Sequence, residues 1–241
     1  MFREQKVLAI VPARGGSKRL PGKNLRSVGG KPLLTWTLAA SVGAATVDRT
    51  VLSTDDEELV VSAAQQGFTD VLMRPATLAS DDATTESVIT HVIDTLKDQG
   101  DEFGYLVLLQ PTSPLRTARH IDQAFAVVKE KNALGAASLC RTEHPREWMG
   151  KLSEDGLLDS FICETSLQYQ SQVFAPSYLV NGAIYIVSVK EFLAQKTVFL
   201  PSGMAAFVMA REDSVDIDDA YDLRLADWLM RQRQAVDVTG V

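Results

Sequence analysis

The segment Val11-Pro-Ala-Arg-Gly-Gly-Ser-Lys-Arg-Leu-Pro-Gly-Lys-Asn24 holds the densest set of residues able to do chemistry. Gly15 and Gly16 let the backbone turn tightly and approach an anion closely. Exposed backbone N–H groups in such a loop form an anion nest. Arg14, Lys18 and Lys23 add three full charges. A guanidinium can grip phosphate oxygens in pairs, whereas an ammonium acts as a point charge. Together these cations suit a triphosphate, whose charge must be neutralised before a nucleophile can approach. The pattern is neither GxxxxGK[ST] nor GxGxxG, which disfavours a Walker-type ATPase or a dinucleotide dehydrogenase.

A second constellation lies near the other end, at Ser214-Val-Asp-Ile-Asp218. In extended backbone Asp216 and Asp218 project from the same face. Two convergent carboxylates attract Mg²⁺, which prefers oxygen ligands and accepts phosphate as a co-ligand. Asp218 or Asp219 could instead cap the helical pattern that follows at once. Two polar strand ends add to the set. Gln110, in Leu108-Leu-Gln-Pro-Thr-Ser-Pro-Leu-Arg116, stands where a crevice residue is expected, and Asn181 could reach a sugar or ribose hydroxyl. The stretch Arg74-Pro-Ala-Thr-Leu-Ala-Ser-Asp-Asp-Ala-Thr-Thr85 could read a base edge or cap a helix. His91, His120 and His144 accompany no GxSxG, HExxH or CxxC, so neither serine-hydrolase nor zinc chemistry has support.

Charge separates the two constellations. Residues 1–35 hold eight cations and one acid, whereas Arg211–Asp222 holds six acids and one base, within a chain of 241 residues and net charge -7. That polarity suits a polyphosphate with its metal ion, while the acidic total argues against nucleic acid as a partner. At 46% hydrophobic and 23% charged, the composition is globular. No apolar run reaches the roughly 18–20 residues a membrane span needs, and the short run Val7–Pro12 reads as a first strand, not a signal peptide. Cys140 and Cys163 make no disulfide framework and are expected to be reduced thiols in the cytoplasm.

These residues must be carried by an alternation of strands and helices. Strand-length apolar runs recur at Val7–Val11, Thr50–Ser53, Asp70–Met73, Tyr105–Leu109, Leu134–Leu139, Ala183–Val187 and Ala206–Met209. Helical periodicity fills Pro32–Ser41, Asp56–Gln65, Thr85–Lys97, Ala118–Lys131, Val189–Ala194 and Ala220–Arg233. Thr54-Asp55-Asp56 and Thr84-Thr85-Glu86 supply helix starts. The order predicts an α/β fold with a mostly parallel central sheet flanked by helices and ligands beyond the strand C-termini. Residues 1–241 read as a single domain. Arg141–Val180, with scattered aromatics and no clean period, reads as a small inserted lobe that covers the crevice or pairs with another subunit. Gln234–Val241 reads as a frayed tail.

The chain resembles the CMP-sialic acid synthetases, or acylneuraminate cytidylyltransferases. The resemblance rests on VPARGGSKRLPGKN at 11–24, RPATLASDDATT at 74–85, LLQPTSPLR at 108–116, NGAIYI at 181–186 and DSVDID at 213–218. It implies a Rossmann-like nucleotidyltransferase that activates a nonulosonic acid with CTP, giving the CMP-sugar and pyrophosphate. It implies Mg²⁺ or another divalent cation, and a homodimer whose arm matches 141–180. It further implies that Arg14, Ser17, Lys18 and Lys23 hold the CTP phosphates, with Lys23 stabilising the departing pyrophosphate. Asn24, Arg74, Ala83 and Thr85 would line the nucleotide pocket, Gln110 and Asn181 would face the sugar or ribose, and Asp216 and Asp218 would bind the metal. Arg14, Lys23, Asp216 and Asp218 would thus be the catalytic set.

The chain also departs from the pattern. Many relatives have Ser where Thr85 stands. Some sialic-acid-specific members carry basic residues in the lobe and just before the NGA block, where this chain reads His144-Pro-Arg-Glu-Trp148 and Tyr178-Leu-Val-Asn181. An Arg-Gln pair of the family falls in Ser171-Gln-Val173, with no Arg. The expected acceptor is N-acetylneuraminic acid. Legionaminic or pseudaminic acid are the alternatives, followed by the eight-carbon acid KDO and a non-catalytic nucleotide-binding module.

Overall fold

The computed structural model describes residues 2–80, 83–157, 170 and 173–239. Strands β1 (Val7–Ala13), β4 (Arg49–Thr54), β5 (Val71–Met73), β6 (Tyr105–Leu108), β7 (Gly135–Arg141), β8 (Tyr178–Ser188) and β9 (Met204–Met209) form one sheet in the order β5-β4-β1-β6-β8-β7-β9. A two-stranded ribbon, β2 (Ser27–Val28) with β3 (Lys31–Pro32), stands apart. The helices are α1 (Leu33–Val42), α2 (Glu57–Gln65), α3 (Thr85–Asp98), α4 (Ala118–Glu130), α5 (Val189–Gln195) and α6 (Ala220–Thr239). The mostly parallel α/β architecture expected from the strand–helix alternation is therefore present.

The register follows from burial on both faces. β1 runs parallel to β4 and β6, so Ile10 lies beside Val51 and Leu108. Its alternate side chains serve opposite layers. Val7, Ala9 and Val11 join Leu34, Ile121 and Phe125 on one face. Leu8 and Ile10 join Ile89, Val92 and Leu96 of α3 on the other. A third buried cluster joins Leu20, Val28, Leu33, Leu115, Ile217, Ala226 and Met230. This cluster matters for the site, because it packs the cationic loop, the acidic segment and α6 against one another.

Three features differ from the sequence-based expectation. β8 begins at Tyr178, five residues early, and runs antiparallel to both β6 and β7, with a register shift opposite Ala137/Leu139. Its first residues, Tyr178 and Leu179, pair with Arg141 and Cys140 yet stay exposed, so their apolar run carries no core signal. The ribbon around Gly29-Gly30 is too short to leave a period. The frayed tail is instead helical through Thr239. Gln234 Nε2 donates to Gly29 O at 3.0 Å, which ties that helix to the ribbon.

Cys140 is a buried free thiol. Cys163, Phe161, Tyr169 and the Ser171-Gln172 pair of the expected lobe lie outside the described residues, as do Asp81 and Asp82. Within the described part of that lobe, His144 stacks on Trp148 with ring centroids 6.2 Å apart, and Phe174 meets Trp148 edge-on. Among the described residues no helix is long and apolar enough to cross a membrane.

Candidate active site

The cationic loop leaves the C-terminal end of β1, where parallel strands expose their last N–H and C=O groups to a crevice. Asn24 closes it, donating from Nδ2 to Arg14 O at 3.1 Å. Gly22 turns the chain at φ 64 into the short helical turn Lys23–Leu25. The base of the loop is crowded: a Cβ on Gly15 would lie 2.5 Å from Asp56 Oδ2. Asp56 itself caps α2, accepting from Glu58 N at 2.8 Å. Thr84 likewise caps α3 through Ser87 N.

A cleft of about 530 Å³ opens above this loop. Arg14, Ser17, Lys18, Lys23, Asn24, Arg74, Ala83, Thr85 and Gln110 all line it. Residues from three of the five sequence blocks, 11–24, 74–85 and 108–116, thus share the walls of the same crevice. Arg74 follows β5 and is buried. It donates from Nη2 to Ser53 O at 2.7 Å and from Nη1 to Leu78 O at 3.3 Å. Burial lowers its pKa, the Asp55 carboxylate opposes that shift, and the nearby Arg14 adds to it.

The acidic segment comes from the far end of the chain and packs against the cleft wall. Asp216 and Asp218 lie outside the residues that line the cleft, but Asp216 meets Thr112, and Asp218 meets Arg19 and Lys23, which do line it. Ile217 is its anchor: its side chain is buried in the third cluster, and its N–H donates to Thr112 O at 2.9 Å. Lys23 Nζ donates to Ile217 O at 2.6 Å and lies 3.8 Å from Asp218 Oδ1. Arg19 Nη2 lies 2.8 Å from the same Oδ1. Burial lowers the Lys23 pKa, and the carboxylates of Asp218 and Asp216 oppose that shift. Burial pushes the Asp216 carboxyl up; a hydrogen bond from Thr112 opposes this, and the Asp218 charge adds to it. The helix cap, which sequence alone left open between Asp218 and Asp219, falls to Asp219. Asp219 Oδ1 accepts from Tyr221 N at 2.7 Å, and Asp222 Oδ2 accepts from the N–H groups of Asp218 and Asp219.

Gly182 brings Gln110 and this segment together. Its φ of +73° is a conformation that side chains rarely adopt, and a Cβ there would lie 3.0 Å from Gln110 Oε1 and 3.7 Å from Asp216 Oδ2. Arg116 holds the turn behind them. Its guanidinium is fully buried, and Nη1 donates to the carbonyls of Gln110, Ser113 and Ala183 at 3.2, 3.2 and 3.3 Å. Burial without a carboxylate partner pushes its pKa down to about 9.

Asn181 is placed differently from the expectation. It is 4% exposed, and it lies outside the residues that line the cleft. Its Oδ1 accepts from Ser138 Oγ at 2.6 Å and from Ala183 N at 3.2 Å, while Nδ2 donates to Ser214 Oγ at 2.9 Å. The amide therefore holds the β8 irregularity and ties it to the acidic segment. An Asn-Gly pair inside a strand is a signal for such a bend.

Three neighbours of the cleft were not singled out from sequence. Arg19 was only one charge among several, Thr112 stood inside a turn, and Tyr185 read as a strand residue. The Tyr185 hydroxyl is pushed up by burial and by the charge of Asp216, which places it in the same field. Among the described residues no group of three or more His, Cys, Asp or Glu is placed to hold a metal ion. The Asp218 charge adds to the upward shift of the Asp216 carboxyl, and two such hard oxygen donors side by side are a pair that a divalent cation would relieve. That donor set fits Mg²⁺, which binds through one or two carboxylates plus substrate phosphates.

Comparison with known proteins gives one answer at the level of family. A model of the cytidylyltransferase family matches residues 8–199. The N-acylneuraminate cytidylyltransferase of Escherichia coli O18:K1:H7 is 32% identical over 236 residues, which cover 97% of this chain and 54% of that protein. The chain thus spans about half the length of that relative. The CMP-N,N'-diacetyllegionaminic acid synthase of Legionella pneumophila is 32% identical over 235 residues, covering 95% of this chain and 98% of that one. Among solved structures, a CMP:2-keto-3-deoxy-manno-octonic acid synthetase superposes with a TM-score of 0.67 at 19% identity, covering 95% of this chain and 99% of the other. At that identity the likeness speaks to the fold.

Proposed function

Because the chain belongs to the cytidylyltransferase family of nucleotidyltransferases, we propose that it transfers the cytidylyl group of CTP to a nonulosonic acid and releases pyrophosphate. The observation that carries this reading is the meeting of the cationic loop with the acidic segment: Lys23, on the cleft wall, touches Ile217 and stands 3.8 Å from Asp218. An anion-binding loop in contact with a carboxylate pair is what a nucleoside triphosphate with its cation requires.

In this reading Arg14, Ser17, Lys18 and Lys23 hold the phosphates, and Asn24, Arg74, Ala83 and Thr85 form the nucleotide wall. Gln110 faces the acceptor. Asn181 acts behind it by keeping Gly182 close to Gln110 and Asp216. The acceptor's anomeric hydroxyl attacks the α-phosphorus. The bond to the bridging oxygen breaks, its electron pair leaves with pyrophosphate, and the hydroxyl proton passes to a carboxylate of the acidic segment. Lys23, half-buried and therefore poorly screened, stabilises the departing charge. Asp216 and Asp218 would hold Mg²⁺, which supplies further neutralisation of that charge. Positioning and electrostatics account for most of the rate in such transfers.

N-acetylneuraminic acid is the first acceptor to test, with legionaminic, pseudaminic and KDO acids beside it. Two relatives of different named product share the same 32% identity, so overall similarity does not rank them. The assay is pyrophosphate release from CTP and Mg²⁺ with each acid. Release with one nonulosonic acid supports the reading. Turnover with KDO alone moves the acceptor class, and CTP binding without turnover on any acid points to a nucleotide-binding module. The same reading places the protein in the cytoplasm as a homodimer paired through 141–180. The exposed apolar residues Tyr178, Leu179, Met149 and Leu152 of that segment support the pairing, and light scattering of wild type against Leu179→Glu tests it.

A further inference from the structure

We propose that Arg19 is a binding residue that changes partners: it neutralises Asp218 while the cleft holds no ligand and moves to the triphosphate when nucleotide and cation enter. The inference rests on the proposed cation site at Asp216 and Asp218 and adds to it the route by which that site opens.

Two cations face Asp218. Lys23 is half-buried, donates to Ile217 O at 2.6 Å and stands 3.8 Å from the carboxylate. Arg19 makes the closer contact, 2.8 Å, yet its side chain is 70% exposed. The closer partner is therefore also the more mobile one, since little packing holds it. Its backbone, by contrast, cannot drift. The next residue, Leu20, is buried in the same cluster as Ile217, so the Arg19 Cα stays near Asp218 whatever its side chain does. Arg19 also lines the cleft with Arg14, Lys18 and Lys23, within the wall assigned to phosphate.

Charge gives the exchange its direction. A divalent cation approaching Asp218 alone meets a guanidinium already paired there and an ammonium behind it, and both repel it. A triphosphate offers Arg19 several oxygens in place of one, with bidentate geometry available. Nucleotide binding thus draws Arg19 away and uncovers Asp218 in the same event. An Arg19 that served only the phosphates would not affect metal affinity, and one that served only the ion pair would not affect nucleotide affinity.

Arg19→Gln separates these cases, because the side chain is exposed and its loss leaves the buried cluster intact. Mn²⁺ binding is read by electron paramagnetic resonance without nucleotide, and CTP binding by calorimetry in EDTA. An exposed ion pair contributes modestly, so the expected change is about 2–5-fold in each affinity, with opposite signs: the variant binds Mn²⁺ more tightly and CTP more weakly than wild type. Equal Mn²⁺ affinity in the two proteins, or no detectable Mn²⁺ binding by the variant without CTP, overturns the exchange. Unchanged CTP affinity overturns it as well. Absence of Mn²⁺ binding by wild type even with CTP removes the cation site itself, a failure distinct from the others.

Discussion

Replacing Gly15 with alanine measures how closely the phosphate loop is seated on α2. The new Cβ would lie 2.5 Å from Asp56 Oδ2, 3.0 Å from its Cγ and 3.1 Å from its Cβ. Comfortable heavy-atom contacts are about 3.5–4.0 Å, so the carboxylate must retreat by about 1 Å. Turning the terminal oxygens alone does not suffice, because Asp56 Cβ is crowded too, and the side chain must leave its rotamer. Doing so breaks the 2.8 Å bond from Glu58 N that caps the helix. Loss of such a cap costs about 1 kcal/mol. Gly15→Ala should therefore destabilise the protein by about that amount and weaken CTP binding as the loop shifts. Asp56→Ala alone should also cost about 1 kcal/mol, since it deletes the same cap. In the double variant the cap is lost only once and the obstacle is gone. Its cost should match the single variant, a coupling of about 1 kcal/mol. Guanidinium denaturation of the four proteins reads the stability cycle, and calorimetric titration reads recovery of CTP affinity in the double variant. Additive stabilities with no recovery of affinity would refute the seating of Gly15 against Asp56.

Three further outcomes follow from the charges in the cleft. Burial raises the Asp216 carboxyl in the folded protein; such a group favours folding below its unfolded value and loses that contribution as pH rises through the raised value. Asp216→Asn should accordingly raise the melting temperature at pH 7, with the gain shrinking as pH falls through the raised carboxyl range, and should abolish turnover; a melting point unchanged at both pH values contradicts this. Lys23→Ala should lower kcat by at least about 10²-fold with a smaller change in the KM for CTP if the lysine acts mainly on the departing pyrophosphate, and a variant changed only in KM assigns the lysine to ground-state binding. Asp218→Asn should abolish turnover while leaving the denaturation midpoint near wild type, because the carboxylate is partly exposed and its ion-pair partners among the described residues are Arg19 and Lys23; wild-type activity in that variant removes the metal role.

The motifs and the alternation of elements were legible because they depend on near neighbours. A strand followed at once by glycines and cations marks a phosphate loop, and Asp56 and Thr84 mark helix starts through bonds two or three residues away. The direction of β8 was not legible in this way. Its antiparallel course and its shift against β7 are decided by partners far off in the chain, as in the bond from Ser138 to Asn181 across 43 positions. For the same reason Asn181 looked like a ligand contact: its residue type suits a sugar hydroxyl, and nothing local shows that Ser138, Ala183 and Ser214 already engage its amide.

What the sequence determined by itself was the chemistry on offer: a bend rich in cations, a pair of acids, and the strands and helices able to carry them. Tertiary structure decided that these meet. Arg19 and Asp218 are separated by 199 positions and lie 2.8 Å apart. That approach depends on Leu20 and Ile217 sharing one buried cluster. Local periodicity records that each is apolar but not which other apolar residue it will bury against, because hydrophobic burial is non-directional and the partner is chosen only by the packing of the whole chain.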